Sequence, residues 1–144
     1  MQRKIFEKIM YLCFESKNKV ISIHSRGAVF DINTIIGSGF PGKIILHWFS
    51  GTLSQLENAL ENNFYFSINP MMLKSKSGIS VIKKIPLTRL LLESDGPLAN
   101  INPQFASPCD IFPVAHAIST IQGVEYSKAV EAISQTSKMI WQTY

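Results

Sequence analysis

Four short apolar runs, opening at residues 19, 43, 64 and 89, constrain what this chain can fold into more than any other feature. They are Lys19–His24 (KVISIH), Lys43–His47 (KIILH), Phe64–Ile68 (FYFSI) and Arg89–Glu93 (RLLLE). Each has the length of a strand and is rich in Ile, Val, Leu or aromatic residues, which suit a pleated, buried surface. Successive runs start 21 to 25 residues apart, the length taken up by a strand, a crossover helix and two loops. Continuous apolar strands of this kind belong to parallel sheets covered on both faces.

The intervening segments carry helical signals. Gln2–Ser16 places Ile5, Phe6, Ile9, Met10, Leu12 and Cys13 on one broad face. Leu53–Glu61 repeats Leu53, Leu56 and Leu60 at helical spacing behind the capping-type pair Gly51-Thr52, and Lys76–Lys84 is stopped by Pro86. Two helices follow the last strand, near 110–121 and 127–141, with Pro113 in the first turn of the former, where proline is tolerated. Gly37, Gly39 and Gly42 with Pro41 mark a turn. The stretch Gly96–Cys109, with Pro97, Pro103 and Pro108, reads as a long irregular lid or connection. Strand–helix alternation predicts an α/β fold with a parallel sheet. Pattern alone leaves a barrel and an open doubly wound sheet both available.

The 144 residues suffice for one domain with a core, and 46% hydrophobic against 17% charged content is that of a globular chain. The longest apolar stretches, such as 43–49 and 90–92, are too short to cross a bilayer. Glu7 and Lys8 interrupt the opening MQRKIFEKIM, so it is not a signal peptide. A cytoplasmic protein without a membrane partner is the expectation. Cys13 and Cys109 sit in no CxxC pattern and are assigned neither a disulfide nor zinc. The net charge of +4 and pI near 9.1 suit a polyanionic partner. No acidic residue lies between Glu61 and Glu93, where Lys74, Lys76, Lys83, Lys84 and Arg89 fall. That stretch is either a solvated basic helix face or a rim that faces phosphates.

Polar residues gather where the strands end. The first closes on His24, then Ser25-Arg26; the second on His47; the last on Glu93-Ser94-Asp95-Gly96-Pro97. Strand parity puts Ser22 with His24, and Leu91 with Glu93 and Asp95. Function in parallel α/β folds sits at this rim. A histidine there is either a satisfied structural residue or a neutral imidazole ligand to a metal; two at equivalent strand ends with an aspartate at a third favour the ligand reading, a carboxylate completing the set. Glu93 is either a base at the reacting centre or a carboxylate that orients a histidine. His116 lies mid-helix among Val114, Ala115, Ala117 and Ile118 and is read as packing or solvent-facing. No G-x-S-x-G elbow, P-loop or Rossmann glycine motif occurs.

Ile23-His24-Ser25-Arg26 resembles the IHSR motif of TatD-family hydrolases. His47-Trp48-Phe49-Ser50-Gly51 resembles their HCFSG, with tryptophan in the cysteine place, and Leu91 to Pro97 is similar to their LLETDAP. Order and spacing also match. SIHSRGA, HWFSG, FSINPMMLKSKSG and ESDGP look most like the TatD-like branch of Qat anti-phage operons. The resemblance implies a partial TIM-type (β/α) barrel, with residues 1–144 as its C-terminal portion: four parallel strands with flanking helices, a half-barrel. It implies hydrolysis of DNA phosphodiester bonds with divalent ions (Mg, Mn or Zn). His24, His47 and Asp95 would be metal ligands, and Asp95 would also help activate the attacking water. Arg26, Lys74 and Lys76 are expected to meet substrate phosphates.

The sequence departs from the family pattern in two places. It has no His-x-His, since its histidines are 24, 47 and 116, and it has no counterpart of the family's fourth-strand glutamate. A full barrel takes about 250 residues. The expectation is therefore an incomplete site: His24 and His47 on one ion, with Asp95 largely alone at another. Both edge strands, Lys19–His24 and Arg89–Glu93, would lack neighbours. The chain is then a fragment of a longer nuclease, a half-barrel that pairs with a second copy or a separate N-terminal half, or an inactive remnant; the first is the expectation. The alternative function is a non-catalytic DNA-binding or assembly subunit of a defence complex. A third keeps the metal and changes the substrate to C–N or other ester bonds.

Overall fold

A computed structural model describes residues 1–97, 100–101, 104–105 and 107–142. The strands are β1 (Val20–His24), β2 (Lys43–His47), β3 (Tyr65–Ile68) and β4 (Leu90–Leu92), paired in parallel in the order β1-β2-β3-β4. Around them run α1 (Gln2–Ser16), α2 (Val29–Ile36), α3 (Leu53–Glu61), α4 (Lys76–Lys84), α5 (Ile111–Gln122) and α6 (Tyr126–Trp141).

Local chemistry accounts for several boundaries. Thr52 and Gln55 form a reciprocal capping box at the start of α3: the Gln55 N–H donates to Thr52 Oγ1 and the Thr52 N–H to Gln55 Oε1. Ser75 Oγ accepts the Gly78 N–H and starts α4. The short crossover α2 has no comparable signal, and sequence periodicity named no helix there. Its β-branched composition gives weak helix propensity; burial of Val29 and Ile32 against the sheet selects the helix instead. The connection expected to be an irregular lid contains an antiparallel pair, β5 (Asn100–Ile101) and β6 (Gln104–Phe105), and a 3-10 turn at Pro108–Asp110. Two-residue strands are too short to show a period, so no pattern announces them. Pro103 lies outside the described residues.

The two sheet faces differ. Ile44, Leu46, Phe66, Ile68 and Leu90 pack with Val29, Ile32, Leu56, Ala59, Val81, Ile82, Val114 and Ile118 in one core. The other face carries Ser22, His24, Ile45, His47, Tyr65, Ser67, Leu91 and, just past β4, Glu93. Ile140 of α6 packs there on Ile45 and Tyr65. Helix α6 also lies against β4 and the 3-10 turn Leu87–Arg89 before it. Among the described residues β4 pairs with β3 alone, so both ends of the sheet are edges, with α6 packed beside the β4 end. On the β1 side Ser22 and His24 are exposed, and among the described residues β1 pairs with β2 alone.

Candidate active site

Parallel register lines up one row across the sheet: His24 beside His47, His47 beside Ser67, Ser67 beside Leu91. The row stands at the carboxyl ends of the strands. Just beyond it Trp48 and Asp95 take left-handed backbone conformations, φ 46° and 54°. Aspartate tolerates that region; for a bulky tryptophan it is an outlier of the kind held at functional sites.

The imidazoles of His24 and His47 meet edge to face, with centroids 4.3 Å apart. His47 is gripped from both sides. Its Nδ1 lies 2.6 Å from Glu93 Oε2, and its Nε2 lies 3.3 Å from Asp95 Oδ1. All three side chains are about 15% exposed. Glu93 also accepts from Ser67 Oγ on Oε2 and from Asn69 Nδ2 on Oε1 at 3.2 Å. Of the two roles left open for Glu93, this geometry selects the orienting one: its oxygens are already spent on three donors.

An ionised carboxylate only accepts, so His47 Nδ1 carries the proton. With the ring neutral, its Nε2 lone pair would face an Asp95 oxygen, and two acceptors that close repel unless a cation or a proton lies between them. Ligands bound at about 2.1 Å to one divalent ion stand roughly 3.0 to 3.4 Å apart, so the 3.3 Å separation fits the implied ion. Among the described residues no three His, Cys, Asp or Glu side chains close on one ion. The pair His47–Asp95, with His24 adjacent, would supply part of a ligand set. Asp95 and Glu93 face opposite nitrogens of the same imidazole.

The remaining candidates divide by position. Arg26 is exposed on the turn after β1. Lys74, at the end of the 3-10 turn Met72–Lys74, and Lys76, the first residue of α4, are exposed at the same end of the sheet as His47. Lys83 and Lys84 are not: they end α4, and a crossover helix runs antiparallel to its strands, so they lie at the opposite rim. Arg89 lies there too, its guanidinium 4.9 Å from the Tyr65 ring and hydrogen-bonded to Asn63 O and Oδ1. Of the five cations between Glu61 and Glu93, Lys74 and Lys76 stand at the His47 end of the sheet. His116 is exposed on α5 near Tyr126, outside the site. Cys13 and Cys109 are free. Sequence reasoning missed Ser67 and Asn69; the available signal was polar residues at alternate positions inside FYFSIN, otherwise an unbroken apolar run. A cleft of about 550 Å³ adjoins the row, lined by Ser22, Ser67 and Glu93 on the sheet and by Phe112, Val130 and Trp141 on α5 and α6. Among the described residues no helix is long and apolar enough to cross a membrane.

Residues 1–142 match the family model described as TatD related DNase. The chain is 29% identical over 108 residues to deoxyribonuclease Tat-D of Schizosaccharomyces pombe, across 68% of this chain and 35% of that protein. It is 28% identical over 149 residues to the uncharacterized metal-dependent hydrolase YabD of Bacillus subtilis, across 98% of this chain and 58% of that one. A TatD family hydrolase from Entamoeba histolytica superposes with a TM-score of 0.74 at 20% identity, across 87% of this chain and 51% of that chain. The chain thus spans less than two thirds of the length of each. The four parallel strands and their helices are a portion of a TIM-type barrel, and the chain belongs to the TatD related DNase family.

Proposed function

We propose that this chain provides the metal-binding mouth of a DNA phosphodiesterase, a deoxyribonuclease of the TatD type, with His24, His47 and Asp95 as ligands to a divalent ion (Mg, Mn or Zn). The observation that carries the reading is the facing pair His47 Nε2 and Asp95 Oδ1 at 3.3 Å with His24 packed against the same ring. The names of the relatives, a deoxyribonuclease and a metal-dependent hydrolase, support it. When bound, the ion supplies Lewis acidity toward the scissile phosphate and lowers the pKa of water. Asp95 is placed to take the proton of the attacking water. Arg26, Lys74 and Lys76 hold the DNA backbone at the same rim by charge.

The ligand set is short, with no His-x-His in the sequence. A complementary strand set, from the rest of a longer nuclease, a separate N-terminal half or a second copy, is the proposed source of the remaining ligands. The Qat-like sequence features support a role in anti-phage defence, with the cytoplasm as the proposed setting. Cleavage of single- and double-stranded DNA with Mg²⁺ or Mn²⁺ tests the reading, on the chain alone and with the first strands of a relative supplied in trans. Activity is expected to be lost in His24→Ala, His47→Ala and Asp95→Ala. If neither preparation binds metal or cleaves DNA, the enzymatic reading is wrong. A second reading rests on the absence of three convergent ligands among the described residues: a non-catalytic DNA-binding subunit of a defence assembly, which binds DNA through Lys74 and Lys76 without turnover.

A further inference from the structure

We propose that Ser67 and Asn69 are positioning residues that act through Glu93 to hold His47 in its Nδ1–H tautomer, with the Nε2 lone pair aimed at Asp95. That His47 binds an ion rests on the function proposed above; the orientation of its ring does not.

The argument begins with the Asn69 amide. Asn69 is fully buried, and its Oδ1 accepts the backbone N–H groups of Met71 at 3.0 Å and Met72 at 3.2 Å. Two N–H donors require an acceptor, so the amide cannot be flipped and Nδ2 must be the atom that faces Glu93. Nδ2 donates to Oε1 at 3.2 Å, which pins one carboxylate oxygen. Ser67, 5% exposed and in register with His47, donates to the other, Oε2. Oε2 is the oxygen that meets His47 Nδ1. A free glutamate at a strand end samples several rotamers; this one has an anchor on each oxygen and one direction left for the imidazole. Sheet register delivers Ser67 beside His47, and Asn69 follows two residues on, just past the end of β3.

The test reads the tautomer directly. Long-range ¹H–¹⁵N correlation of His47 in the metal-free chain, at a pH where the ring is neutral, separates Nδ1–H from Nε2–H. The wild-type chain is expected to show mainly Nδ1–H, because the 2.6 Å contact to the anchored Glu93 outweighs the 3.3 Å contact to Asp95. Asn69→Asp keeps the Oδ1 acceptor for Met71 and Met72 but removes the Nδ2 donor and sets a second carboxylate against Glu93. Ser67→Ala removes one hydroxyl at almost constant volume, so it serves if the first variant does not fold. Either should move the ratio toward Nε2–H on the order of tenfold, the worth of one hydrogen bond to a charged group. Unchanged Nδ1–H in both folded variants overturns the proposal, as does Nε2–H in the wild-type chain; a purely structural role would lower thermal stability without moving the ratio. A Mn²⁺ titration of the same samples decides the ligand reading separately, with affinity expected to fall about tenfold in Asn69→Asp.

Discussion

Two pairs of lysines on α4 and its approach offer a matched test of which rim meets DNA. Lys74→Gln with Lys76→Gln removes two charges beside the His47 mouth; Lys83→Gln with Lys84→Gln removes two at the far end of the same helix. Net charge changes equally. The backbone positions of Lys76 and Lys84 are about 12 Å apart at a rise of about 1.5 Å per residue, beyond the screening length of about 8 Å at physiological salt. A phosphate held at one rim is therefore largely hidden from the other. Each lost phosphate contact lowers the slope of log affinity against log salt by about 0.9 for duplex and about 0.7 for single-stranded DNA. The first pair should reduce the slope by about 1.8 or about 1.4, and the second should leave it unchanged within error. Fluorescence anisotropy of labelled DNA, without divalent ions and across about 50 to 200 mM salt, measures both. Equal reductions would mean that bulk basicity binds the DNA; a larger effect from the Lys83–Lys84 pair would place the interface on the wrong rim.

Two further outcomes follow from packing. A Cβ at Gly78 would lie 2.1 Å from the Met72 carbonyl oxygen, which is backbone and cannot swing away. Gly78→Ala gains about 1 kcal/mol of helix propensity but costs about 1–3 kcal/mol of overpacking, so the melting temperature should fall by a few degrees; a rise in thermal unfolding by circular dichroism would refute the close contact. The one-sided β1, together with Ile5, Ile9 and Leu12 exposed at helical spacing on α1, predicts association with a second copy. Sedimentation should then show a species heavier than 16.1 kDa, and a monomer with native far-ultraviolet dichroism would count against it.

Much of the architecture was readable because its signals are local. The limits of α3 and α4 coincide with those read from the sequence, since Thr52, Ser75 and Pro86 act within a few residues of the ends they set. The limits of β2 coincide as well, because an apolar run between Gly42 and the polar mouth leaves little latitude. What escaped depends on distant partners or on very short elements. Burial under the sheet, not propensity, makes 29–36 helical. Nothing in the composition of α6 says that Ile140 will reach Ile45 and Tyr65 on the site's own face.

The site shows the same division. The ends of the apolar runs put His24 and His47 at equivalent positions, and the register sets them side by side with Ser67, which sequence reasoning missed, next in the row. Glu93 and Asp95, which spacing put on one face, both reach the His47 ring although β4 ends at Leu92 and Asp95 takes a left-handed conformation. The five cations between Glu61 and Glu93 could have been sorted from sequence by one further step. A helix that connects parallel strands must run back along them, so its first residues share an end with the histidines and its last residues share an end with the strand starts. Lys76 and Lys84 were bound to part company once Lys76–Lys84 was read as the crossover between β3 and β4.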